Sequence, residues 1–263
     1  MPGNFHVQAI LFDRFETGSF GYSVVLDRER KVLMAQAGIH GLISIFVRKW
    51  TPVREWLVLG IVVGSLFPDA DNLAVAIATV AKLPTEGLHR TFTHSLLSMF
   101  IVFVVFYGIS KITSKVRWAN LGIGLSIGIL LHVLVDLLIW FDGVAILWPN
   151  PIMVNLWAGI TPPVWWSKLM LPLEFLFFAL LFWYMHSLAK KQSTDIEFLN
   201  PLRIWVIVQG ALFVVFTVLV YTMSTGFMTI YGLLYLLSLA LAIVISFRMK
   251  NTLEFHPALP QKS

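Results

Sequence analysis

Trp118-ANLGIGLSIGILLHVLVDLLI-Trp140 decides the fold of this chain. It is long enough to cross a bilayer core, which takes about 20 apolar residues as a helix. Yet it carries His132 and Asp136 near one end. An Asp at the centre of a membrane helix costs roughly 2.5–3.5 kcal/mol on insertion scales unless a partner or a wet cavity compensates it. Their i, i+4 spacing puts both side chains on one helix face, where they can address one ion. The bland alternative is a His–Asp hydrogen bond that satisfies two buried groups.

Outward from this stretch, further spanning candidates are Leu96–Ile109, Leu171–Leu188, Ile204–Met223 and Phe227–Phe247. Ala35–Val47 and Trp56–Phe67 are too short to span comfortably and read as half-helices or re-entrant elements packed against protein. Leu73–Leu83 continues after a break at Pro68. The hydrophobic fraction of 58% lies above the soluble average of roughly 45–50%. The fold class is therefore all-α, a polytopic helical membrane protein with about five to seven membrane segments. With no cysteine, disulfides and thiolate metal sites are excluded. A net charge of +5 would point to nucleic acid in a soluble protein; here the cations fall in loops, and no nucleic-acid partner is expected.

Four divisions follow: 1–33, a non-native extension or disordered tail; 34–170, a metal-site membrane domain; 171–250, accessory helices; and 251–263, a cytoplasmic tail. Residues 1–33 are mixed and polar without a helical period, so translation is expected to begin at Met34. Charge sets orientation: Arg48, Lys49, Arg54, then Lys111, Lys115, Arg117, then Lys190, Lys191, Arg203, then Arg248 and Lys250 all fall on one side, the cytoplasmic one. That topology brings His40, Asp69, Asp71, His89, His94, His132 and Asp136 to one depth near the opposite face.

Each of these has a bland reading. In Phe67-Pro68-Asp69-Ala70-Asp71-Asn72, Asp71 or Asn72 can simply cap the next helix. In His89-Arg90-Thr91-Phe92-Thr93-His94-Ser95, Thr93 or Ser95 can cap the helix that follows. The threonines can orient imidazoles, and Arg90 can face an anion or snorkel. His40 alone would more often be structural. His6, His186 and His256 lie elsewhere and receive no role. Gly122, Gly124 and Gly128 fit close helix packing. Trp140, Trp148, Trp157, Trp165 and Trp166 fit an interfacial belt around an outer loop, 142–168, that covers the site.

The early His40, then GSLFPDADN (64–72), HRTFTHS (89–95), HVLVDLL (132–138), Asp142-Gly143 and Leu147-Trp148-Pro149 resemble the YdjM-like family. Its members are bacterial and archaeal inner-membrane proteins described as LexA-binding, membrane-bound metal-dependent hydrolases. The resemblance runs from about Met34 to Pro149. It implies a hydrolase with His40, Asp69, Asp71, His89, His94, His132 and Asp136 at the motif positions.

More nitrogen and oxygen ligands are present than one tetrahedral zinc needs, so one or two ions are expected, Zn or Mn foremost. Asp69 or Asp71 is the candidate base and Arg90 the candidate stabiliser of anionic charge, completing a catalytic set of Asp69, Asp71 and Arg90. The partners expected are the lipid bilayer and a lipid or lipid-linked ester. The localisation expected is the inner membrane, with the site on the non-cytoplasmic side. A divalent-cation or proton-coupled transporter, or a scaffold with a structural metal, are the other classes open to such residues.

Overall fold

The computed structural model describes residues 36–223 and 226–255. The expected extension over 1–33 lies outside them, as does most of the tail. Helices α1 (Ala37–Val47), α2 (Leu57–Leu66), α3 (Asn72–Val80), α4 (Leu96–Thr113), α5 (Val116–Ile139), α6 (Val164–Gln192), α7 (Leu199–Thr222), α8 (Met228–Arg248) and α9 (Lys250–Glu254) follow in order. Among the described residues, six stretches are long and apolar enough to cross a membrane. One of them, Leu57–Val80, joins α2 and α3 through a tight 3-10 turn at Pro68–Asp71. The two short elements expected there thus form one broken span. Proline has no N–H to continue the helix and is tolerated at the start of the new turn.

α2 explains why a short apolar helix is stable. Every residue from Leu57 to Leu66 is buried. Its glycines meet those of α5 backbone to backbone: a Cβ on Gly60 would lie 2.9 Å from the Gly124 Cα, and one on Gly128 2.6 Å from Ser65 N. Gly122 instead faces α4, where an added Cβ would lie 2.6 Å from the Phe106 Cβ. Without a hydrophobic driving force between helices in lipid, such close approach is what holds them.

α1 packs on α6, and the aromatic interior of α6, α7 and α8 (Phe175, Phe178, Phe216, Tyr231) forms the other half of the core. The segment after α5 folds back over the site. Val144 and Val154 pair as an antiparallel bridge, Ala145 N donates to Arg90 O at 3.0 Å, and Leu96 N donates to Ile146 O at 2.9 Å. Trp140 departs from the expected belt: it is buried beneath this cover, with the Arg90 guanidinium 5.5 Å above its ring.

Candidate metal centre

Four separate elements deliver the polar groups. α1 carries His40, the turn between α2 and α3 carries Asp69 and Asp71, the turn before α4 carries His89 to His94, and α5 carries His132 and Asp136. Ser95 caps α4, its Oγ accepting from Ser98 N at 3.1 Å, and so ends the turn that presents His94. Asp71 stands at the N-cap of α3 without capping it. Its side chain turns to the histidines instead.

Hydrogen bonds assign the tautomers. His132 Nδ1 lies 2.8 Å from Ser65 O, a carbonyl that only accepts, so Nδ1 holds the proton and Nε2 the lone pair of the neutral ring. Thr93 Oγ1 donates to Asp71 Oδ2 at 2.7 Å, which leaves its oxygen to accept from His94 Nδ1 at 3.0 Å. His94 Nε2 therefore also carries a lone pair. Burial draws the His94 imidazole down to about 4, against the opposing pull of Asp71, so it is neutral at physiological pH, the form that ligates metal.

The two Nε2 atoms face one another at 3.1 Å, and each lies 3.6 Å from Asp136 Oδ2. Tetrahedral zinc with Zn–N of about 2.0–2.1 Å would separate its ligands by about 3.4 Å. The triangle of His94, His132 and Asp136 fits that spacing, and Asp69 Oδ1 stands 3.8 Å from His132 Nε2.

Around the triangle, polar atoms are buried without hydrogen-bond partners: both ring nitrogens of His40, Asp69 Oδ2 and His89 Nε2. His40 Nε2 comes within 3.2 Å of Asp136 Oδ1, and its ring stacks on His132 at 3.8 Å. Among the described residues, two groupings have ligand atoms close enough to share an ion: His40, His132 and Asp136, and Asp69, His89 and His94. Unsatisfied lone pairs packed this densely fit a divalent cation.

Asp71 is placed differently from the sequence expectation of a ligand or base. Its Oδ1 takes His89 Nδ1 at 2.6 Å, and its Oδ2 takes Thr93 Oγ1 at 2.7 Å and Arg90 N at 3.3 Å. Both oxygens are engaged, so Asp71 stands behind the imidazoles as the carboxylate that orients them. Arg90 does not snorkel. It is 5% exposed, with Nε 3.6 Å from Asp136 Oδ2 and Nη1 3.6 Å from Asp142 Oδ2. Its φ of 58° is held by the backbone contacts to Asp71 and Ala145.

The YdjM inner membrane protein family matches residues 33–251. The chain belongs to this family. No curated protein and no solved structure matches it. Membership of YdjM, with six candidate spans, makes this a multi-pass inner-membrane protein whose surroundings are lipid. The match extends past the motif-bearing region to α8 and so includes the helices in which no motif is evident.

One buried group there escaped the sequence reading. Glu174 is the sole carboxylate of α6 and is fully buried. The available signal was the cost of an acid inside an apolar run, the same signal that exposed Asp136.

Proposed function

We propose that the protein is an integral membrane metal-dependent hydrolase acting on a lipid or lipid-linked phosphoester at the outer face of the inner membrane. The observation that carries this reading is the pair of imidazole lone pairs, His94 Nε2 and His132 Nε2, held 3.1 Å apart beside Asp136. A single shared proton would relieve that pair but not the orphaned atoms of His40, His89 and Asp69 around it. One or two Zn or Mn ions would serve them all, since imidazole and carboxylate without thiolate suit these metals. His94, His132 and Asp136 would hold the first ion; His40, His89 and Asp69 complete its surroundings or hold a second.

A bound ion supplies a Lewis acid and lowers the pKa of a water in its shell towards about 7. With a single ion held by His94, His132 and Asp136, Asp69 Oδ2, buried and without a hydrogen-bond partner, would serve as the general base. Asp71 holds the His89 and His94 rings in the ligating tautomer. The Arg90 guanidinium, beside Asp136, stabilises negative charge that develops on a phosphoryl or carbonyl oxygen. Substrate enters at bilayer depth, which favours a lipid-borne ester. The burial of His94 and His132 (both 0% exposed) supports a second reading, a scaffold with a structural ion.

Metal content of detergent-purified protein, by inductively coupled plasma mass spectrometry, tests the reading. About one or two transition-metal ions per chain are expected in the wild type, lost in His94→Ala and His132→Ala. A wild-type protein that stays metal-free after reconstitution removes the hydrolase mechanism and leaves ion or proton transport. Retained metal that no chelator exchanges, with no turnover of phosphoester lipids, favours the scaffold.

A further inference from the structure

His40 rides on α1, an 11-residue helix. Isolated helices shorter than about 12–15 residues are marginal in water, so α1 takes its position from its neighbours. Gln36, at its N-cap, makes no capping bond to its own helix. Its Nε2 donates to Met170 O at 2.9 Å, and Gly38 N donates to Glu174 Oε1 at 3.1 Å. Met170 and Glu174 are one turn apart on α6, and Gln36 and Gly38 bracket the start of α1. Between the two helices the backbones nearly touch: a Cβ on Gly38 would lie 2.6 Å from Phe178 N. In the same turn of α6, Tyr231 of α8 donates to Leu171 O at 2.9 Å.

We infer that Glu174 is a positioning residue for His40, its carboxylate locking the axial register of α1 on α6. The inference rests on the metal-centre reading for its functional meaning. At the start of α1 the helix leaves its first N–H groups unsatisfied, and the Glu174 side-chain oxygen accepts from one of them. Register is what the metal site needs. A slip of one residue moves His40 about 1.5 Å along the axis and turns it by about 100°. Metal–ligand distances tolerate about 0.2 Å. In the observed register His40 Nε2 stands 3.2 Å from Asp136 Oδ1, and His40 is the one His, Asp or Glu on α1. A purely apolar contact at Glu174 would seat α1 against α6 without choosing between neighbouring registers.

The full chain in detergent is compared as wild type, Glu174→Ala and Glu174→Gln. Hydrogen exchange of the metal-free protein reports on residues 36–47, and chelator competition reports zinc affinity. Glu174→Ala should speed exchange in 36–47 on the order of tenfold, leaving α5 unchanged, and weaken zinc by about 10–100-fold. Glu174→Gln keeps an oxygen for Gly38 N and should stay within about threefold of wild type on both readouts. His40→Ala with Glu174→Ala should bind zinc no more weakly than His40→Ala alone, because both act through one ligand. If the alanine chain does not fold, Glu174→Asp, whose carboxylate is one methylene short, should shift both readouts in the same direction. Unchanged exchange in 36–47, a glutamine variant as impaired as the alanine, or additive losses with His40→Ala would overturn the inference. A wild-type chain that binds no zinc defeats the metal reading, while the exchange comparison still decides the register lock.

Discussion

Gly128→Ala isolates the coupling between helix packing and the ligand set. The new methyl would lie 2.6 Å from Ser65 N and 2.7 Å from Gly64 C, where ordinary contact needs about 3.5 Å. α2 and α5 must therefore part by about 1 Å. Gly128 and His132 lie one turn apart on the same face of α5, so the parting acts on the bond from His132 Nδ1 to Ser65 O. That bond, 2.8 Å at present, would stretch beyond hydrogen-bonding range. Overpacking costs about 1–3 kcal/mol and the lost bond about 1 kcal/mol more. Once His132 loses the acceptor that fixes its tautomer, metal affinity should fall about 10–100-fold. Thermal melts and chelator competition on the detergent-solubilised protein measure the two effects. Gly108→Ala, on α4 with no atom within 4 Å of the added carbon, is the control and should be neutral or slightly stabilising. A Gly128→Ala protein that melts lower but binds metal as tightly as wild type would refute the coupling.

Two further predictions concern roles and orientation. Asp71→Asn should lower metal affinity about tenfold while Asp136→Asn abolishes binding, because in the proposed centre one carboxylate orients imidazoles and the other would contact the ion; equal losses, read by metal content and chelator titration, would return Asp71 to the ligand set. The chain has no cysteine, so single replacements can map its sides. Ser114→Cys and Asn150→Cys are both at exposed positions. A membrane-impermeant maleimide applied to intact cells should label the second and spare the first, and the reverse pattern would invert the proposed orientation.

The polar residues of the candidate site were legible in the sequence because lipid makes them costly. Asp69, Asp71, His132 and Asp136 stand out from apolar surroundings for a reason that needs no structure. The break at Pro68 was equally legible, since a missing N–H interrupts a helix wherever it occurs. The membrane class, the helical architecture and the candidate ligand types thus belong to the sequence alone.

Roles within the site were decided by tertiary structure. Whether Asp71 caps α3 or holds His89 depends on the direction of a turn set by packing 18 residues away. Which nitrogen of His132 is free depends on Ser65 O, 67 positions away and brought into reach by glycine contacts between α2 and α5. The bond between Glu174 and Gly38, 136 positions apart, has no local signature at all. Local chemistry and periodicity are written along the chain, but the register of one helix against another is a balance of contacts that exist only after the helices meet.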